Sequence, residues 1–309
     1  MGYSFLRVNC FNCHEQSVLN VLLSPVRTEL QAKMENVVHI ISQFNGAVVA
    51  LSAGVDSSLV AALARRALGD RVVAVTALSE SLAPGEMEIA QKTATQIGIR
   101  HIIVRTDEVQ NANYKANPSN RCYYCKDTLY RELRRQADKS SFEAVLDGTQ
   151  LDDLGDTRPG LLAAREAGVR SPLAEAGFSK KEVRETARLL GLDVWDKPAM
   201  PCLSSRIPHG DEITVSKLSQ VGEAESIVKR LSGARDIRVR HHGTVAAIEV
   251  SQEELPLFHQ DGLMNQTKKE LRRLGFTKVT IGPRKYPNKV GTIELGQDHS
   301  LPIINTSNR

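Results

Sequence analysis

The chain has 309 residues, 41% of them hydrophobic, and a formal net charge of +4. That length allows two domains with a core each, and so small a net charge leaves no dominant footprint for a nucleic-acid partner. No apolar run reaches membrane-spanning length and no charged start leads into a signal-like apolar core, so the expected setting is the cytoplasm, away from membranes.

In chain order, residues 1–28 carry no sustained period and read as an extension. Leu30, Met34, Val37, Val38 and Ile41 then trace a helical face. Residues 47–51 are uninterruptedly apolar, as a strand buried on both faces of a parallel sheet must be. A turn through Ser52, Ala53 and Gly54 leads into a helix on which Leu59, Leu63 and Ala67 recur. Residues 71–77 predict a second strand. Pro84-Gly85 opens a helix closed by Gly98. A third strand starts at His101, a helix covers residues 128–137, and residues 144–146 form a fourth strand. Strands alternating with helices specify an α/β fold with a doubly wound parallel sheet, whose ligand sits beyond the carboxyl ends of the strands. Residues 213–231 are helical, "IRVRHH" and "TVAAIEVS" alternate like paired strands, and "LGFTKVTIG" suggests another, giving a smaller C-terminal α+β domain. The expected division is an extension over 1–28, a nucleotide domain over 29–202, a substrate domain over 203–285 and a polar tail over 286–309.

The turn after the first strand carries the first chemistry. Small residues let backbone N–H groups approach a ligand closely, and the start of the following helix favours a phosphate. Ser57 and Ser58 add hydroxyls, while an ordinary strand-to-helix turn capped by Asp56 or Ser57 is the plain alternative. No Gly-Lys-Ser/Thr follows, so this is not a Walker-type loop. "SAGVDSS" resembles instead the PP-loop, SGGxDS, of the ATP pyrophosphatases, with Ala53 where that pattern has glycine. The added methyl matters if the position needs a positive φ.

A second loop, "DGTQLDDLGDTRPGL", leaves the fourth strand at the same sheet edge. Asp152, Asp153 and Asp156 could hold Mg²⁺, which prefers oxygen ligands, or cap the helix that begins at Pro159. The five cysteines point to thiol, metal or cluster chemistry rather than to a disulfide framework. Cys122, Cys125 and Cys202 are three thiols, one fewer than a structural zinc usually takes, whereas a 4Fe-4S cluster held by three leaves one iron open. Cys10, Cys13 and His14 spell a haem-attachment pattern read as chance, with a second metal pair as the alternative.

The series "SAGVDSS", "SESLAPGE", "CYYCK", "DGTQLDDLGDTRPGL", "KPAMPCLSSRIPHG" and "IRVRHHGTVAAIEV" resembles, in order and spacing, the LarE family of ATP-dependent sulfur transferases over about residues 30–252. The resemblance implies an adenine nucleotide alpha hydrolase-like fold. It also implies that ATP adenylates a carboxylate of a pyridinium-3,5-biscarboxylate mononucleotide, which becomes a thiocarboxylate on the way to the nickel-pincer cofactor. ATP and Mg²⁺ would be held by Ser52, Gly54, Val55, Asp56, Ser57, Ser58, Ala77, Gly148, Asp152 and Asp153. Cys202 would be the nucleophile, with Lys197 and Arg206 able to lower its pKa if near in space. Its own sulfur could be sacrificed, or Cys122, Cys125 and Cys202 could hold an iron-sulfur cluster that carries the sulfide. Arg238 and Arg240 share one strand face and, with Ser205 and Arg206, would take the phosphate or carboxylates of the small-molecule nucleotide substrate. Other nickel-pincer biosynthesis proteins are implied as partners, and a homo-oligomer is expected. A tRNA thiolase of the same superfamily and a non-catalytic adenine-nucleotide-binding module are the rival readings.

Overall fold

The computed structural model describes residues 25–155, 159–259 and 262–284. Cys10, Cys13, His14, Asp156 and the expected tail lie outside the described residues. The first helix among the described residues, α1 (Pro25–Ser42), starts inside the stretch expected to be an extension. Proline suits a first helical position, where the missing N–H would have no intrahelical acceptor.

There follow β1 (Ala47–Ala50), α2 (Val55–Leu68), β2 (Val72–Leu78), α3 (Glu86–Ile97), β3 (Arg100–Arg105), a short α4 (Ala112–Lys115), α5 (Arg121–Lys139) and β4 (Ala144–Leu146). α6 (Pro159–Glu166), a single turn α7 (Pro172–Glu175) and α8 (Lys180–Leu189) complete this part. The four strands are parallel in the order β3-β2-β1-β4. Winding runs outward from β1 through β2 to β3, then returns to place β4 on the other side of β1. Adjacent strand residues face opposite sides of the sheet. Ala47, Val49 and Leu51 accordingly join one core with residues of α1, α2, α3 and α8, while Val48 and Ala50 join another with Tyr130 and Leu133 of α5 and Ala163 of α6. This is the doubly wound α/β architecture, and its reversal point lies between β1 and β4.

The C-terminal part consists of α9 (Val215–Ser232), β5 (Arg238–His242), β6 (Val245–Val250), α10 (Leu263–Arg273) and β7 (Lys278–Pro283). β5 pairs antiparallel with β6 and β7 pairs parallel with it, closing a small sheet on its own core. A fourth apolar cluster joins the two parts, with Ala83 and Tyr114 on one side and Leu203, Leu218 and Val221 on the other.

One buried ion pair stands beside this junction, between the turn after Cys202 and α9. The Arg206 guanidinium donates to Glu225 of α9 through Nε at 2.7 Å, and the two side chains are 0% and 4% exposed. Glu225 also accepts the Val239 N–H at 3.0 Å. Removing one partner of such a pair strands the other charge in an apolar setting. Glu225→Ala should therefore cost about 3–5 kcal/mol of stability, read as a lower urea midpoint; a shift under about 1 kcal/mol would show that the pair carries little of the junction.

Candidate active site

The two loops leaving β1 and β4 wall a cleft of about 480 Å³. It is lined by Ala50 and Leu51 of the first strand region, by Val75 and Thr76 of β2, and by Ser52, Asp56 and Ser57 together with Asp147, Gly148 and Thr149. Position at the reversal of a doubly wound sheet is where ligands bind in this architecture.

The turn is shaped by its own hydroxyls. Ser57 Oγ accepts the Ser52 N–H at 3.1 Å and donates to the Gly54 carbonyl at 3.0 Å, and Ser58 Oγ donates to that carbonyl at 2.8 Å. The first N–H groups of α2, from Val55 onward, have no intrahelical acceptors, as at any helix start, and together with the helix dipole they favour an anion. Ala53 stands at φ = 59° and is buried. The position does need a left-handed backbone, and alanine holds it at a cost of roughly 1–2 kcal/mol.

Gly148 is packed directly on this turn. A Cβ at Gly148 would lie 2.6 Å from the Ser57 nitrogen and 2.9 Å from the Asp56 carbonyl carbon, both backbone atoms with no freedom to step aside. Asp147, beside it, is buried and accepts from Tyr130 Oη at 2.9 Å and Ser171 Oγ at 2.8 Å. Lys126 sits with its ammonium 5.3 Å from the Tyr130 ring centre and reaches the cleft. Burial opposes the Lys126 charge, but Tyr130, Asp147 and Cys125 outweigh it and hold its pKa above the ordinary lysine value.

Of the residues expected to hold the nucleotide, Ser52, Asp56, Ser57, Ala77, Gly148 and Asp153 line the cleft. Gly54, Val55 and Ser58 build the turn from behind, Val55 and Ser58 being buried. Asp152 is exposed and its carboxylate accepts the Lys180 N–H at 3.0 Å, so it caps α8. Asp153 accepts the Gln150 N–H at 3.2 Å as part of a capping box.

Lys180 is a residue that motif reading missed. Its ammonium meets both oxygens of Asp56, at 2.7 and 2.5 Å, across 124 positions of sequence. The available signal was the capping box formed by Ser179 and Glu182, which starts α8 and sets Lys180 at its first position.

Cys122 and Cys125 occupy the first turns of α5, which begins well before residue 128; Cys122 is exposed and lines the cleft. Burial, Glu108 and Cys202 together push the Cys125 thiol up to about 12. Cys202 precedes a 3₁₀ turn, Leu203–Arg206, and its carbonyl accepts from Ser205 Oγ at 2.8 Å. Among the described residues, no three His, Cys, Asp or Glu side chains are gathered as a metal-holding group. Lys197 and Arg206 are both occupied elsewhere. Lys197 donates to the Ala53 carbonyl and to Glu86, and Arg206 to Glu225 and the Pro201 carbonyl.

Arg238 and Arg240 do share a face of β5, with Val239 turned into the core between them. Arg240 donates to Glu249 at 2.9 Å and to the Ser205 carbonyl at 2.6 Å. Arg238 Nε is buried with no hydrogen-bond partner, and burial together with Arg284, Arg206 and Arg240 lowers its pKa.

Comparison with known proteins fits this geometry. A family model for NAD synthase matches residues 26–132. A pyridinium-3,5-bisthiocarboxylic acid mononucleotide synthase of Lactiplantibacillus plantarum is 36% identical over 253 residues, 82% of this chain and 91% of that protein. The chain belongs to the LarE family. It is thereby an enzyme of the PP-loop superfamily that uses ATP. An uncharacterized protein of Synechocystis is 48% identical over 257 residues, 83% of this chain and 96% of that one. A glutamine-hydrolysing GMP synthase component from Archaeoglobus fulgidus is 28% identical over 195 residues, 59% of this chain and 64% of that one. Among the described residues no helix is long and apolar enough to cross a membrane.

Gly148→Ala tests the contact between the two loops. Its methyl must displace the Asp56–Ser57 backbone, so ATP affinity should fall at least tenfold while the circular dichroism spectrum is kept; unchanged affinity would show that the turn tolerates the shift.

Proposed function

We propose that this protein is an ATP-dependent sulfur transferase that adenylates a carboxylate of a pyridinium-3,5-biscarboxylate mononucleotide and converts it to a thiocarboxylate. The observation that carries the reading is that Cys122 lines the same cleft as Ser52, Asp56 and Ser57, with Cys125 and Cys202 beside it. A thiol set next to a phosphate-holding turn suits sulfur chemistry on an adenylate, and a nucleotide-binding module alone leaves it without a role. The relative from L. plantarum, whose name describes such a synthase, supports the substrate class.

In this reading, residues 29–202 form the nucleotide domain and residues 203–285 the substrate domain. The substrate carboxylate attacks the α-phosphate of ATP, the bond to the β-phosphate breaks, and pyrophosphate leaves into the turn at residues 52–58. Ala77 and Gly148 line the same cleft, so the adenosine end would lie against them. Asp153 lines the cleft and would hold Mg²⁺ with the phosphates, Asp56 being paired through both oxygens with Lys180, and Lys126 offsets the developing negative charge. Ser205, Arg206 and Arg240 line one pocket, which would take the substrate's phosphate or carboxylates, with Arg238 on the same face of β5.

Sulfur then reaches the activated carbonyl from the Cys202 side. If Cys202 is the nucleophile, its thiolate displaces AMP to give a thioester, and cleavage of the cysteine Cβ–Sγ bond with loss of the α-proton leaves thiocarboxylate and dehydroalanine. Three cysteines supply the donors that a 4Fe-4S cluster would need, but among the described residues they are not gathered as a metal-holding group. We place the enzyme in the cytoplasm, working with other proteins of nickel-pincer assembly. The exposed Leu151, Leu154 and Leu162 support a homo-oligomer.

Cys202→Ser separates activation from transfer. It should release pyrophosphate from ATP and the pyridinium substrate yet yield no thiocarboxylate by mass spectrometry. Normal thiocarboxylate would overturn the role of Cys202, and pyrophosphate release driven by tRNA instead of the pyridinium acid would favour a tRNA thiolase.

A further inference from the structure

We infer that Lys197 is a positioning residue that holds the phosphate-binding turn in its strained form and ties it to the Cys202 segment. The inference rests on reading that turn as the pyrophosphate cradle. Lys197 Nζ donates to the Ala53 carbonyl at 2.8 Å and to Glu86 Oε2 at 2.6 Å, and the lysine and glutamate side chains are 14% and 8% exposed. A nearly buried ammonium needs a counter-charge, and Glu86, the first residue of α3, supplies it.

What the ammonium grips is the residue at φ = 59°. In a trans peptide the carbonyl and the following N–H point in opposite directions, so fixing the Ala53 carbonyl also fixes the direction of the Gly54 N–H that opens α2. Alanine at this φ has a steric reason to relax that glycine lacks. Lys197 opposes that relaxation.

The same lysine stands five positions before Cys202, and Pro198 and Pro201 stiffen the stretch between them. The far end is pinned as well, because the Leu203 N–H donates to the Ser81 carbonyl at 2.8 Å in the loop after β2. A change in the turn when pyrophosphate forms is thus carried to Cys202 by a short, stiff segment. The ammonium does not act on the thiol itself. It acts through backbone geometry.

The test uses the full chain and compares wild type, Lys197→Gln, Ala53→Gly and the double variant, each measured for ATP dissociation constant, thiocarboxylate formed per pyrophosphate released, and melting temperature. Lys197→Gln should weaken ATP binding roughly tenfold and lower the ratio of thiocarboxylate to pyrophosphate. In the double variant, glycine takes the positive φ without the clamp, so ATP affinity should recover at least threefold while the product ratio stays low. Unchanged affinity and ratio in Lys197→Gln would overturn the inference. So would a loss that Ala53→Gly fails to rescue while melting temperatures match. Should Lys197→Gln fail to fold, Glu86→Gln, which leaves the ammonium without its counter-charge, should show the same two effects more weakly, and normal values there would count against the clamp. If wild type binds ATP but makes no thiocarboxylate from the pyridinium acid, the substrate reading fails, and the affinity comparison still decides the role of Lys197.

Discussion

The approach of Gly148 to the backbone of Asp56 and Ser57 is the contact on which the rest of the site depends. Two parallel strands, β1 and β4, end side by side, and the loops leaving them must share the space above one sheet edge. At 2.6 Å between an imagined Gly148 Cβ and the Ser57 nitrogen, there is no room for any side chain between them. The loops therefore act as one wall, with the free N–H groups of α2 on one side and the Asp147 to Thr149 turn on the other. The hydroxyl bonds within the turn, the Asp56–Lys180 pair and the Tyr130–Asp147 bond all refine a geometry that this contact imposes.

Charge is arranged around the cleft in a graded way. Lys180 meets Asp56 at the rim, Lys126 reaches the interior, and Lys197 is withdrawn into the wall, where Glu86 balances it. Arg206 is further removed still, buried completely and used to bind the Cys202 segment to α9 through Glu225. Basic residues around one cleft thus have different work. Those with access to the cleft can meet phosphate, and those without it hold backbone in place, because a buried cation with carbonyl and carboxylate partners has no donors to spare.

The segment from Lys197 to Arg206 links the two sheets. It is tied to the phosphate turn by Lys197, to the loop after β2 by Leu203, and to β5 by Arg240 through the Ser205 carbonyl. Cys202 lies inside that span, so its position depends on both the nucleotide part and the C-terminal part. This is the expected consequence of placing a residue on a connection between two packed cores, where neither core alone determines its location.

Much of this was legible in the residues themselves. The apolar run of β1, the helical spacing of α2 and the glycine closing α3 report local preferences, and local preferences survive into the fold when every level agrees with them. The turn "SAGVDSS" stood out as a candidate anion site because small residues before a helix start let backbone N–H groups approach a ligand closely. Sequence also marked Ala53 as the position where a methyl would matter, but only the backbone angle showed that the residue is left-handed. The Asp56–Lys180 pair, the Gly148 approach and the grip of Lys197 on Ala53 join positions far apart in the chain, and no periodicity records a distance across a sheet edge. The roles of Lys197 and Arg206 were likewise decided by tertiary structure, since closeness in sequence to Cys202 says nothing about which way a long side chain turns or which carboxylate it finds. The chain's own chemistry determined which groups are available; packing decided which of them face the cleft, because burial and partner geometry are properties of the assembled core.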